Sequence, residues 1–201
     1  MDLVVAAIAF GAIFIVELPD KTFIAALVLS TKYKPLAVWL GVGLAFGVQT
    51  LVAVTAGTLA TLLPDALIKS VAIAIFLIGA VVLFRTAPSA DADEKETEEE
   101  YAAGSDEPKT FLRAATASFL ILFAAEWGDL SQLLTISLVA KYHDQVSVFV
   151  GAWAALLAVS GLAVIAGRVL LRYLRLSVLH YVGAAVCLLL AVVTAVEVLT
   201  A

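Results

Sequence analysis

The sequence predicts an all-α integral membrane protein with six transmembrane helices, arranged as two inverted repeats of three helices each. Three observations support this fold class. Hydrophobic residues make up 63% of the 201 residues, and the mean hydropathy is +1.08, which is typical of membrane-spanning chains. The apolar sequence falls into long runs separated by helix-breaking or charged residues. A short acidic motif occurs in two of these runs, 109 positions apart.

Six apolar runs are long enough to cross a bilayer, which requires about 20 helical residues. The predicted spans are Leu3–Ser30, Ala37–Leu63, Leu67–Phe84, Phe111–Ala140, Val146–Leu171 and Val178–Thr200. The first and fourth spans are longer than one crossing requires and carry their acidic motif near the middle. We therefore expect each of these two spans to be broken or tilted.

Lysine and arginine residues in the loops and near the ends of the spans are distributed unequally between the two sides of the membrane. One side receives nine of them, and the other receives only Lys69 and Lys141. Because basic loops are retained in the cytoplasm, the sequence predicts that both termini lie outside and that the central loop is cytoplasmic.

That central loop is a polar segment, Thr86–Lys109, which contains nine of the seventeen acidic residues. It has too few apolar side chains to offset the entropy cost of ordering, so we expect it to be largely disordered. A solvated tether is the favoured interpretation, and a low-affinity cation collector or sensor is the alternative. The predicted organisation is a first repeat at 1–85, an acidic cytoplasmic linker at 86–109 and a second repeat at 110–201.

An internal repeat relates the two halves. Each motif supplies a glutamate, an aspartate three residues later and a hydroxyl residue two further on, namely Glu17, Asp20 and Thr22, then Glu126, Asp129 and Ser131. At an offset of 110, Gly41 aligns with Gly151. An odd number of spans forces the second copy to run opposite to the first, as in many secondary transporters. Both motifs are then expected at one depth, facing each other across a pseudo-twofold axis.

The spacing of the acidic residues indicates a site for a divalent cation. In a helix, residues i and i+3 lie on one face. Two stripes result: Glu17 with Asp20, and Glu126 with Asp129 and Gln132. Placing an ionised carboxylate at the bilayer centre costs at least ~2.5 kcal/mol, so four of them indicate a functional site. Hard cations such as Mg²⁺, Ca²⁺ and Mn²⁺ prefer oxygen ligands of this kind.

Hydroxyl groups beside the acidic stripes extend the predicted ligand set. Thr22 and Ser131 point away from the glutamates in an unbroken helix, so they reach a shared cation only if each helix is broken. Pro19 and Gly128 occupy equivalent positions in the two motifs. Proline removes an amide donor and clashes with the preceding turn, and glycine permits a similar loosening or a close helix approach.

The charges of the predicted site favour exchange of a cation for protons. Close carboxylates repel one another, so the empty site is expected to hold protons that an entering cation displaces. Lys21 is expected to pair with Asp20 or with a carboxylate of the other half, whereas the second motif has Leu130 at this position. Gln49, in the middle of the second span, is either an accessory ligand or a helix–helix hydrogen-bonding group.

The double motif resembles that of a family of Ca²⁺/Mn²⁺:proton antiporters, which includes the Golgi transmembrane protein linked to human glycosylation defects and bacterial manganese exporters. The family pattern is Glu-x-Gly-Asp-(Lys/Arg)-(Thr/Ser), once in each half of a six-span protein. Residues that match are Glu17, Asp20, Lys21 and Thr22 in the first copy, and Glu126, Gly128, Asp129 and Ser131, followed by Gln132, in the second. Pro19 replaces the first motif glycine, and Leu130 replaces the second basic residue.

This resemblance covers essentially the whole chain and implies a transport function. The implied activity is export of Mn²⁺ or Ca²⁺ from the cytoplasm in exchange for protons, by alternating access, across the plasma membrane of a bacterium. The four motif carboxylates then form the shared cation and proton site. The resemblance implies no catalytic residue and no cofactor, and it leaves a homo-oligomer open.

Two other classes of function compete with transport of a divalent cation. An exporter or channel for a small cationic organic solute uses acids in the same way but needs a larger, aromatic-lined pocket. A metal-dependent hydrolase of lipid phosphates needs a nucleophile or base and phosphate-holding cations, of which the motifs supply only Lys21. Nucleic acid is not an expected partner, because basic patches interleaved with aromatics are missing from the sequence. The single cysteine, Cys187, excludes a Cys-rich metal site.

Overall fold

The structure, a computed structural model, describes residues 1–18, 20–90, 96, 97, 99, 110–173 and 176–200. Within these residues the chain forms eight α-helices and no β-strand, which confirms the predicted all-α class. The helices are α1 (Leu3–Glu17), α2 (Lys21–Lys32), α3 (Pro35–Ala60), α4 (Asp65–Thr86), α5 (Phe111–Ala125), α6 (Leu130–Tyr142), α7 (Gln145–Tyr173) and α8 (Leu176–Thr200). Most of the acidic segment that is predicted to be disordered lies outside the described residues.

Four of these helices, α3, α4, α7 and α8, are each long and apolar enough to cross a membrane. The other four form two bent pairs that reach this length only together: α1 with α2, at 71°, and α5 with α6, at 73°. The described residues therefore contain four candidate spans, or six if each bent pair is one span. The expectation that the first and fourth predicted spans are broken or tilted is confirmed, since both are broken.

The helices α3 and α7 cross at the centre of the molecule and hold each other through tryptophans. The indole Nε1 of Trp39 donates to the carbonyl of Leu157 at 3.0 Å. That of Trp153 donates to the carbonyl of Gly43 at 2.9 Å. Each bond pairs a partly buried indole with a carbonyl, and either group would be energetically unfavourable without a partner in apolar surroundings.

Two equivalent glycines set the distance between these central helices and the first helix of each bent pair. A Cβ atom built on Gly41 in α3 would lie 2.2 Å from the carbonyl oxygen of Ala115 in α5. One built on Gly151 in α7 would lie 2.2 Å from the carbonyl oxygen of Ala6 in α1. These pairs are related by the same offsets of 110 and 109 residues that relate the motifs. Small residues that allow backbones to approach closely are typical of membrane interfaces.

The last helix of each half, α4 and α8, packs against its counterpart. In addition, α4 contacts α6, and α8 contacts α1. Beyond the end of α4, Ala87 and Ala90 are buried, and Ala90 packs against Ile24 and Val28 of α2. Thr86, Pro88 and Ser89, which lie between or beside these alanines, are exposed.

Candidate functional site

The four motif carboxylates converge in the middle of the molecule. Glu17 and Asp20 come from the break between α1 and α2, and Glu126 and Asp129 from the break between α5 and α6. One carboxylate oxygen from each lies within 4.8 Å of the others. Glu17 is 1% exposed and Glu126 is 6% exposed. The structure thus brings together acids that the sequence separates by more than a hundred positions.

The motif aspartates start the second helix of each bent pair. Asp20 has an extended backbone and accepts the amide of Lys21 at 2.6 Å. Asp129 is likewise extended and accepts the amide of Ser131, and that of Gln132 at 3.3 Å. An aspartate at the N-cap satisfies amides that have no partner in the helix and complements the positive end of its dipole. Each aspartate therefore terminates the break as well as facing the site.

The second break is held open by a glycine and a glutamine. Gly128 has a φ of +83°, a conformation that glycine adopts without steric cost. Gln132 spans the break: its Nε2 donates to the Glu126 carbonyl at 2.8 Å, and its Oε1 accepts the Gly128 amide at 3.1 Å. Gln132 is a predicted cation ligand, yet both ends of its amide are engaged by the backbone. Phe23 is its equivalent in the first half, and Pro19 lies outside the described residues.

Carbonyl groups at the ends of α1 and α5 add negative potential to the site. The last four carbonyls of a helix have no partner within it, and the dipole places partial negative charge there. Gln49, which is buried, donates its Nε2 to one such carbonyl, that of Phe123, at 3.1 Å. Of the two roles predicted for Gln49, the structure shows the helix–helix hydrogen bond.

Hydroxyl groups of the motifs lie crosswise, each beside the glutamate of the other half. Ser131 lies beside the carboxylate of Glu17, and Thr22 beside that of Glu126. The Thr22 hydroxyl and Oε2 of Glu17 are buried and have no hydrogen-bond partner in the described part of the chain. Buried oxygens without partners are energetically unfavourable, so these two are available to a proton or a cation.

Lys21 is exposed and forms no ion pair within 4 Å in the residues that the structure describes. Its positive charge nevertheless acts on the carboxylate of Asp20, the first of the two partners predicted for it. Leu130, its equivalent, is half-buried and approaches Gly79 and the core. The ion pair that the structure does contain joins Lys141 to Glu197 at 3.3 Å, at the far ends of α6 and α8.

A small cavity adjoins the carboxylates. Its volume is about 10 Å³, close to the ~10–15 Å³ that one water molecule requires. The lining residues are Phe46, Gln49, Thr50, Ala53, Glu126, Asp129, Ser131, Gln132, Thr135 and Leu156. Thr50 and Thr135 are not among the predicted site residues. Their sequence signals are weak: Thr50 follows Gln49 in an apolar span, and Thr135 lies one helical turn after Ser131.

The donor set of the site is suited to a hard divalent cation. It consists of carboxylates, hydroxyls, side-chain amides and helix-end carbonyls, and the cavity lining contains no histidine or cysteine. Oxygen-only sets of this kind select Mg²⁺, Ca²⁺ or Mn²⁺ over softer metals. Four carboxylates exceed the charge of one divalent cation, so the site has the capacity to hold protons as well.

Many secondary transporters have broken helices whose ends surround a charged site within the membrane. The fold and the site therefore indicate that this chain belongs to the class of ion transporters. Comparison with known proteins specifies the family. The chain belongs to the family described as divalent cation/proton antiporter GDT1, which matches residues 5–91 and 114–201. This is a family of transporters, not of enzymes.

Individual relatives extend the comparison. The chain is 32% identical over 212 residues to the chloroplastic protein PAM71 of Arabidopsis thaliana, covering 96% of this chain and 57% of the relative. It is 34% identical over 166 residues to a GDT1-like protein of Synechocystis, covering 76% of this chain and 80% of the relative. A GDT1-like protein 3 of Arabidopsis thaliana is 29% identical over 177 residues, covering 81% and 60%. The chain thus spans less than two thirds of the plant relatives, and no solved structure matches it.

Proposed function

We propose that this chain is a secondary transporter that moves a divalent cation, Mn²⁺ or Ca²⁺, across a membrane in exchange for protons. One observation carries the proposal: four carboxylates from two broken helices lie within 4.8 Å of one another in a largely buried site. Such a cluster in apolar surroundings is unfavourable unless protons or a cation neutralise it. Membership of the antiporter family supports the same conclusion.

In this proposal Glu17, Asp20, Glu126 and Asp129 bind the cation and the protons at different times. The crosswise hydroxyls of Thr22 and Ser131 supply neutral oxygens. We assign Gln132 to bracing the second break and Gln49 to holding the end of α5, since their amides already bond to backbone groups there. Lys21 stays a predicted contributor to charge balance in the empty state.

Coupling follows from electrostatic competition within one site. The cation and the protons both neutralise the same carboxylates, so binding of one disfavours binding of the other. A carrier that changes its exposure only when the charge is neutralised then exchanges the two species. We propose that the repeats at 1–85 and 110–201 rock against each other around the site, and the paired contacts of Gly41 and Gly151 support this division.

Direction and location follow from the same proposal. We infer export from the cytoplasm, in a bacterial plasma membrane, with both termini outside and the acidic loop at 86–109 in the cytoplasm, as the distribution of basic residues predicts. The loop is assigned as a tether between the repeats. A homo-oligomer is compatible with this arrangement and is tested by the mass of the purified protein in detergent.

The competing functions find less support in the site. A cavity of about 10 Å³ has no room for an organic cation, whose pocket would be lined by aromatic side chains. A hydrolase of lipid phosphates needs a nucleophile or general base beside the metal, and the two histidines, His143 and His180, lie far from the motifs in sequence.

Proton and metal flux in liposomes test the proposal. The purified protein is reconstituted with a pH-sensitive dye inside the vesicles, and Mn²⁺, Ca²⁺ or Mg²⁺ is added outside in turn. We expect protons to move against Mn²⁺ or Ca²⁺. The Glu126→Gln, Asp129→Asn double variant should lose this flux while remaining monodisperse. Glu197→Gln, which removes a carboxylate outside the site, should keep it.

Three outcomes would contradict parts of the proposal. Metal uptake without proton movement would make the protein a channel or uniporter. A normal flux in the double variant would refute the site. Absence of any metal response in the wild-type protein would refute cation transport itself.

A further inference from the structure

Many serine and threonine side chains in the described helices bond to carbonyls of their own helix. Within the described residues, hydroxyls that donate to the carbonyl four positions earlier, at 2.7–3.0 Å, are those of Thr55, Thr58, Ser70, Thr86, Thr135, Ser137, Ser160 and Thr194. This bond is the ordinary way to satisfy a hydroxyl in a helix. In an apolar environment a hydroxyl that does not form it is exceptional.

Thr50 in α3 is such an exception. It is 3% exposed, and its Oγ1 has no hydrogen-bond partner in the part of the chain that the structure describes. It also lines the cavity beside Glu126 and Asp129. Ser118 in α5 has an unpartnered hydroxyl too, but it does not line this cavity. Thr50 therefore combines an unused hydroxyl with a place next to the acidic cluster.

The equivalent region of the other half is built differently. Ser160 in α7 corresponds to Thr50 at the offset of 110, and its hydroxyl is satisfied by the carbonyls of Leu156, at 2.8 Å, and Leu157, at 3.2 Å. Residues equivalent to Gln49, Ala53, Gln132 and Thr135 are Val159, Ala163, Phe23 and Ala26, and these pack together in an apolar cluster. A polar cavity thus adjoins the carboxylates on the side of Thr50, and packed apolar side chains take its place on the other.

We propose that Thr50 is a ligand-supplying residue of the cation site and sets its preference between cations. This inference rests on the proposed function. The hydroxyl contributes a neutral oxygen from α3 to a cation held by the carboxylates, which no motif residue supplies from that direction. This role explains why Oγ1 of Thr50 has no hydrogen-bond partner: the oxygen binds the cation.

The size of the cation determines which ion depends most on this oxygen. Ca²⁺ takes about six to eight oxygen ligands in flexible geometry, whereas Mn²⁺ is satisfied by an octahedral set of about six. An additional neutral ligand on one side therefore favours Ca²⁺ more than Mn²⁺. Removal of the hydroxyl should reduce Ca²⁺ affinity more than Mn²⁺ affinity.

Titration calorimetry of the full chain in detergent, with CaCl₂ and MnCl₂ separately, tests the proposal. Thr50→Val keeps the shape of the side chain and removes the hydroxyl. We expect its Ca²⁺ affinity to fall by about tenfold, the lower end of the range for groups that support a metal site, and its Mn²⁺ affinity to fall by a smaller factor. Thr50→Ser, which retains a hydroxyl, should restore the wild-type ratio of the two affinities. Ser160→Ala is the matched control and should change neither.

Each possible result supports or overturns the proposed role of Thr50 or the proposed function. Unchanged affinities in Thr50→Val overturn the proposal. An equal loss for both cations, with a lower unfolding temperature and no rescue by Thr50→Ser, shows a packing role and also overturns it. If the wild-type protein binds neither cation, the proposed function itself fails. If the wild-type protein binds and Glu126→Gln does not, the proposed function stands whatever Thr50→Val does.

Discussion

The close helix approaches at Gly41 and Gly151 allow a quantitative prediction. In Gly41→Ala the new methyl group would start 2.2 Å from the carbonyl oxygen of Ala115, and in Gly151→Ala it would start at the same distance from that of Ala6. Real Cβ atoms essentially never approach another heavy atom closer than 3.0 Å. The obstructing atoms belong to the backbone, so a whole helix must withdraw by about 1 Å rather than one side chain rotate.

Overpacking of this kind costs about 1–3 kcal/mol. For a chain of this length, about 2 kcal/mol corresponds to a fall of roughly 4–8 °C in Tm. Glu17 is the last residue of α1, and Glu126 directly follows α5, so withdrawal of these helices also separates the two halves of the acidic cluster. We expect cation-driven proton flux to decline in both variants, and by similar factors since the two contacts are equivalent.

Thermal unfolding in detergent, followed by circular dichroism, measures the stability, and the liposome assay measures the flux. Gly11→Ala is the control, because a Cβ atom at Gly11 in α1 meets nothing within 4 Å. That substitution should leave Tm unchanged or raise it slightly, since alanine restricts the unfolded chain. If Gly41→Ala and Gly151→Ala were as stable and active as Gly11→Ala, the packing derived for α3 and α7 would be refuted.

Substitutions at three further positions probe the break and the loop beside α7. Gly128→Ala should cost about 1–2 kcal/mol of stability through backbone strain alone, because φ is +83° and no atom lies within 4 Å of the new Cβ. Gly128→Asn should recover part of the lost Tm, and an unchanged Tm in Gly128→Ala would contradict the left-handed conformation of Gly128. Gln132→Leu removes both hydrogen bonds across the break, each worth about 1 kcal/mol, so we expect a lower Tm and a lower flux. A wild-type Tm in this variant would contradict the bracing role of Gln132. Hydrogen bonds from the hydroxyl and amide of Ser147 hold the pKa of Asp144 below its ordinary value. The ionised carboxylate of Asp144 therefore stabilises the fold above its unfolded pKa of about 3.9, and this stabilisation is lost as the pH falls through the folded pKa. Asp144→Ala should therefore lower Tm near pH 7, and its effect should shrink as the pH falls below about 3.9 and through the folded pKa. A loss of Tm that stays the same over this range would contradict the prediction.

The acidic motifs and the breaks were predictable because they violate the rules of an apolar span. Charged residues in hydrocarbon are rare unless they have a function, so Glu17, Asp20, Glu126 and Asp129 stand out without any structure. Two local signals indicated broken helices: the excess length of the spans around both motifs, and Gly128, which has a low helix propensity. Signals of this kind lie within a few residues of one another and need no knowledge of packing.

Other parts of the site were not predictable from local sequence. Nothing near Thr50 distinguishes it from Thr55 or Thr58, which bond to their own helix; only the neighbours of α3 separate them. Gln132 has the spacing of a ligand, but its side-chain amide forms hydrogen bonds with backbone groups of the break. The exposed ammonium of Lys21 likewise follows from what packs beside α2, not from the motif.

The sequence by itself determined the helical membrane class, the duplicated acidic motif and the chemistry of its oxygen ligands, because composition and spacing along one chain decide these. The tertiary structure alone decided that Thr22 and Ser131 lie beside the glutamate of the opposite half, and that a cavity exists on the Thr50 side while Phe23 fills the other. These features depend on contacts between residues that are more than seventy positions apart. Such contacts are set by how whole helices pack against one another, and a repeated motif with two different sets of neighbours acquires two different surroundings.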